Sequence, residues 1–159
     1  MKYLKLIQKI ACAICRATGG HPVELELPLP TSTREVTANK LASIFRKRFP
    51  EGALYLSDYA GYKLCNLKDI NIFLEADQTD KIKYQAETFD CDNFARRLFG
   101  QFSVPGWSDL AIGKMWTDKH ACLIVIDENE DLWILEHQTD ALNSKLEFWQ
   151  GSVNRWTEI

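Results

Sequence analysis

The sequence predicts an α+β domain in which helices come first and an antiparallel sheet follows. Three observations carry this. Apolar residues recur at helical spacing up to about residue 102, and period-two patterning takes over near residue 110. Turn-forming residues then separate successive period-two runs, the order expected of α+β chains. With 159 residues, the chain suits one domain, 1–159, with its own core. Its N-terminal part, 1–80, reads as helical and extended, and the segment 84–140 carries the motifs.

The elements follow in order. Leu4, Ile7, Ala11 and Ile14 share a helical face, with Lys2, Lys5, Lys9 and Arg16 largely elsewhere. A helix packed on the domain is expected there, with a basic membrane-surface helix as the alternative. "HPVELELPLPTST" alternates and then breaks at prolines, which predicts an extended arm. Ser32 or Thr33 caps a helix expected over about 34–48, stopped by "FPEG". "ALYLSD" and "YKLCN" predict short strands, and "LKDINIFLEADQTD" predicts a helix.

The next helix is expected at about 90–102, with Cys91, Phe94, Ala95, Leu98 and Phe102 on one face. "LAIGKMWT", "HACLIVID" and "DLWILEH" are strands, with "DENED" turning the last two. "EFWQGSVNRWTEI" adds one or two more.

Composition narrows the function classes. Hydrophobic residues make up 46% of the chain, which fits a folded protein. A net charge of -3 offers no electrostatic reason for nucleic-acid binding. No apolar run approaches the roughly 20 residues of a membrane span. Lysines interrupt the N-terminal apolar stretch, so no signal peptide and a cytoplasmic location are expected. The five cysteines (12, 15, 65, 91, 122) are an odd number, which excludes a complete disulfide framework within one chain. Cys12 and Cys15 form a CxxC, but only His21 offers itself as a further ligand nearby.

Cys91 raises the chemical question. It opens a helix, where unpaired backbone N–H groups favour a thiolate, yet Asp90 and Asp92 flank it and disfavour a second negative charge. A nucleophile there needs a cation. His120, at the start of "HACLIVID", supplies one if the following turn has three residues, 128–130. Cys122 then pairs with Glu136, and His120 lies one diagonal step from Glu136 on the same face. An even-length turn would separate them. Cys91, His120 and Glu136 thus form a candidate catalytic set of nucleophile, base and orienting acid. Gln85, six residues before Cys91, is a candidate oxyanion donor.

"QAETFDCDNFA", followed by "HACLIVID" and "LWILEHQTD", resembles papain-like cysteine peptidases, above all the C-terminal peptidase domain of fungal chimerolectins and the bacterial and phage proteins that share it. The resemblance spans about residues 84–140. It implies a papain-like fold and a peptidase that cleaves a peptide or protein substrate through a thioester. Cys91, His120 and Glu136 would be the catalytic triad, with Gln85 and Gln138 supporting the site. Chimerolectin peptidases are activated by calcium or similar ions, so Glu87, Asp90 and Asp92, with the "DENED" turn, become candidate ligands for calcium or manganese. His137 stands where the relatives tend to have a proline. A peptidoglycan hydrolase or a transglutaminase relative uses the same residue order. A binding or phage structural protein would keep the fold without activity.

Overall fold

The structure is a computed structural model that describes residues 27–58, 60–143 and 154–159. The expected N-terminal helix, the Cys12/Cys15 pair and His21 lie outside the described residues.

Strand β1 (Glu35–Val36) precedes helix α1 (Ala38–Arg48), and β2 (Ala53–Tyr55) and β3 (Tyr62–Lys63) follow it. Helix α2 (Leu67–Ala76) leads through a 3-10 turn, Thr79–Lys81, to α3 (Cys91–Gln101). The rest is β: β4 (Ile112–Thr117), β5 (Ala121–Ile126), β6 (Leu132–Glu136), β7 (Ala141–Asn143) and β8 (Asn154–Glu158).

The first helix starts later than its pattern predicts. Glu35 and Val36 pair with Lys63 and Tyr62 as an antiparallel ribbon, so the backbone there is extended. Thr37 becomes the cap, its side chain accepting from the Lys40 N–H at 3.3 Å. Ser32, one of the two expected caps, instead donates its hydroxyl to the Leu64 carbonyl in the interior. Helix α2 keeps its expected place because Asn66 caps it, accepting from Lys68 N–H at 3.0 Å, and Ile70, Phe73 and Leu74 are buried.

The main sheet has six strands in the order β2-β8-β4-β5-β6-β7. β5 occupies its middle, and all six of its residues are buried, as a strand covered on both faces requires. Helix α3 packs across β4 and β5 through Phe94, Ala95 and Leu98, each at most 1% exposed. Burying three such side chains contributes on the order of 1–3 kcal/mol each, the term that seats α3 on the sheet.

The turn between β5 and β6 is held by Asp127. Its Oδ1 accepts from the N–H groups of Asn129 (2.8 Å) and Asp131 (2.9 Å), and Oδ2 accepts from the Trp133 indole at 3.0 Å. Asp127 N–H reaches the Asp131 carbonyl at 3.0 Å. The turn therefore contains residues 128–130, and the register runs from Ile126↔Leu132 to Leu123↔Leu135.

The expected papain-like α+β layout, N-terminal helices followed by an antiparallel sheet, does not form. Among the described residues, eight strands stand against three α-helices, and strands precede both α1 and α2. The cause is long-range pairing. β2, from the first half of the chain, joins the sheet in parallel with β8, with Ala53 opposite Trp156 and Tyr55 opposite Glu158. A pairing across about a hundred residues leaves no trace in local periodicity.

Candidate functional site

The site forms where the start of α3 meets the ends of β5 and β6. Thr117 sets the turn that leads into β5. Its hydroxyl accepts from the N–H groups of Lys119 (3.1 Å) and His120 (3.0 Å) and donates to the His120 carbonyl at 3.1 Å. That anchors the His120 backbone and aims its ring along the face shared with Cys122. The three-residue turn at the other end of β5 carries the same register to Glu136. His120 Nε2 and Glu136 Oε2 meet at 2.9 Å.

Burial pushes the Glu136 carboxyl up, but the His120 hydrogen bond and the charges of His137 and His120 outweigh it and hold it below the usual carboxylate range. The Gln138 backbone N–H adds a bond to Glu136 Oε1 at 3.3 Å. The contact of Gln138 with Glu136 is thus made by its main chain.

His137 lies in the same corner. A strand would point it away from Glu136, but β6 ends at Glu136, and His137 opens the turn that follows. Its ring is fully buried, stacked on Phe94 with centroids 5.4 Å apart and 5.5 Å from the His120 ring. Nε2 donates to the Ala121 carbonyl at 2.9 Å, and Nδ1 faces Glu136 Oε1 at 3.4 Å. Burial holds the ring below the usual histidine range, against the pull of Glu136. Patterning by strand parity missed His137, and its place next to Glu136 was the one available signal.

Cys91 is the first residue of α3 and is partly exposed. The other described cysteines, Cys65 and Cys122, are buried, and desolvation pushes both thiols far up. Cys91 sits in the His137 corner, where its backbone carbonyl faces the His137 ring. Asp90 caps the helix, its N–H bonded to Asn93 Oδ1 at 3.3 Å. The carboxyls of Asp90 and Asp92 share a hydrogen bond, which holds Asp90 below and Asp92 above the usual range. Arg96 pairs with Asp92 at 2.5 Å.

Gln85 is brought near α3 by a turn whose ends bond to each other, Gln85 N–H to Phe89 O at 3.0 Å and Phe89 N–H to Gln85 O at 2.8 Å. Glu87 stands in that turn, exposed, with φ at 63°. Glu87, Asp90 and Asp92 do not converge as cation ligands. Among the described residues, the group whose ligand atoms lie within 4.8 Å of one another is His120, Glu136 and His137. A groove of about 690 Å³ lies elsewhere: Lys47, Arg48, Asn129, Asp131 and Trp133 line it at the other end of β6.

No family model matches the sequence, and no curated protein matches it. Solved structures do. PSL1a in complex with E64 matches with a TM-score of 0.68 at 19% identity, over 79% of this chain and 51% of that one. Polyporus squamosus lectin, bound to the human-type influenza-binding epitope Neu5Acα2-6Galβ1-4GlcNAc, matches with a TM-score of 0.65 at 18% identity, over 79% and 49%. The chain thus spans about half the length of each structure it matches, and at these identities the likeness is one of fold.

These findings overturn the peptidase reading. The structural neighbours are a lectin, and no family model or curated protein supports a papain-like peptidase. The hydrolase assignment, the catalytic triad and the peptide substrate fall with it, because a Cys, His, acid order is a spacing that a binding site can also present. Among the described residues, no helix is long and apolar enough to cross a membrane.

Proposed function

We propose that the chain is a binding module whose binding site is the corner formed by Cys91, His120 and Glu136, with the Cys91 thiol as the group that meets the ligand. One observation carries this: the partly exposed cysteine opens a helix at the corner where His120 and Glu136 close to 2.9 Å. Glu136 orients the imidazole, His120 offers a cation to a ligand anion or thiolate, and Phe94 and buried His137 form the floor. Gln138 lies at its edge, its N–H on Glu136. PSL1a is found with E64 bound, which makes an E64-type epoxide the natural probe. The thiolate would open the epoxide, forming one C–S bond while the freed ring oxygen takes a proton from His120.

The test is mass-mapped labelling with that epoxide and with iodoacetamide. Selective modification of Cys91 over Cys65 and Cys122, slowed about tenfold or more by His120→Ala, supports the site. No labelling of Cys91, or a rate indifferent to His120→Ala, rejects it.

A second reading places a saccharide in the 690 Å³ groove. Trp133 offers an aromatic surface there, and Lys47, Arg48, Asn129 and Asp131 offer charged and amide groups of the kind that bind hydroxyls and carboxylates. The trisaccharide on Polyporus squamosus lectin is that protein's ligand and the first to try. Binding of it that Trp133→Ala abolishes would support the groove, and absence of binding on a glycan panel would reject it.

A further inference from the structure

We infer that His120, Glu136 and His137 form a zinc-binding site, with His137 Nδ1 as its innermost ligand. The inference shares His120 and Glu136 with the proposed binding corner but does not need the Cys91 thiol.

A hydrogen bond fixes the His137 tautomer. A carbonyl only accepts, so the 2.9 Å bond to Ala121 O places the proton on Nε2. Nδ1 of the neutral ring then carries a lone pair. It is fully buried and has no hydrogen-bond partner. At 3.4 Å it faces Glu136 Oε1, another acceptor, and the Cys91 carbonyl lies on the same ring. Acceptors converging on one buried point, with no donor among them, call for a cation.

The surroundings match what a transition metal requires. A ligating histidine characteristically gives its second N–H to a backbone carbonyl or carboxylate, which fixes tautomer and ring plane. His137 has that bond, and Phe94 holds the ring flat against α3. His120 and Glu136 supply one nitrogen and one oxygen, and all three ligand atoms lie within 4.8 Å of one another. Around zinc, with bonds of about 2.0–2.2 Å, tetrahedral ligand atoms stand about 3.5 Å apart. The Glu136–His137 separation, 3.4 Å, is already close to that value, and the 2.9 Å between His120 and Glu136 would have to open slightly to admit the ion. Two nitrogens and one oxygen suit zinc better than calcium or magnesium, which prefer oxygen alone. Three protein ligands leave a fourth position open, the arrangement of a zinc site that takes an outside ligand.

The alternative cation is a proton, giving an imidazolium on His137. Calorimetric zinc titration of the full chain carrying Cys12→Ser, Cys15→Ser and Cys91→Ser separates the two. It also removes both the CxxC and the thiol reading from the measurement. One zinc per chain is expected, with affinity falling at least about tenfold in Glu136→Gln, His120→Gln and His137→Gln. Cobalt(II) should give visible bands that those variants lose. If His137→Gln fails to fold by circular dichroism, the two rim variants decide. No uptake, uptake unchanged in Glu136→Gln and His120→Gln, or a His137 ring protonated on both nitrogens and unmoved by zinc, would overturn the inference.

Discussion

Replacing Asp140 with asparagine should stabilise the protein at neutral pH and leave it unchanged in acid. Asp140 ends the turn between β6 and β7, half-buried, with φ at 57°. Burial first, then the charges of Asp80 and Asp77, push its carboxyl from 3.8 up to about 6, while Lys81 pulls the other way. The folded state therefore holds the proton more tightly than the unfolded chain. Stability is greatest below the unfolded value near 3.8, declines as pH rises through about 6, and stays reduced above it. The gap between 3.8 and about 6 corresponds to a ceiling of about 3 kcal/mol. Solvent screens a half-buried group, so about 1 kcal/mol is the expected cost at neutral pH. Asparagine has no charge and tolerates a left-handed backbone. Thermal unfolding followed by circular dichroism should show Asp140→Asn melting about 2–4 °C higher at pH 7.5. The two proteins should coincide near pH 4. An equal gain at both pH values would place the effect in the backbone, and no gain at pH 7.5 would refute the electrostatic argument.

Other substitutions test the fold that carries the site. Asp127→Ala strips three donors of their acceptor at the β5–β6 turn and should cost about 2–4 kcal/mol in denaturant unfolding; a loss below 0.5 kcal/mol would deny that turn its role in fixing the register. Gly113→Ala would place a Cβ 2.7 Å from the Glu158 carbonyl and 2.5 Å from the Ile159 side chain. It should cost about 1–3 kcal/mol by overpacking, read as a lower Tm. Glu130→Gln removes exposed pairs with Arg34 and Lys40 and should change stability by less than about 1 kcal/mol, with that change shrinking in high salt.

Much of the corner around Glu136 was legible because strand geometry has a period of two. A turn confined to 128–130 places His120 and Glu136 on one face, and Asp127, four residues before Asp131, is the side chain that closes such a turn. The start of α3 was legible for a similar reason. Asp90 and Asn93 stand at the positions of a helix-start box, and Phe94, Ala95 and Leu98 recur at helical spacing. His137 was not legible, because its direction depends on β6 ending one residue earlier. Parity along a strand says nothing once the strand stops.

The sequence by itself determined the local elements of this protein: α2, α3 and the hairpin of β5 and β6, each set by short-range spacing and capping. Only the tertiary structure decided the architecture. β1 forms because residues 62–63 come to lie beside residues 35–36, which moves the start of α1. β2 joins β8 in parallel across most of the chain, turning a helix-first reading into a strand-rich mixed sheet. Helical spacing and strand alternation are written within a few residues, whereas sheet pairing is chosen by the free energy of burying distant segments against each other. The same holds for the acceptors around the His137 ring, which Ala121, Glu136 and Cys91 bring from three separate elements.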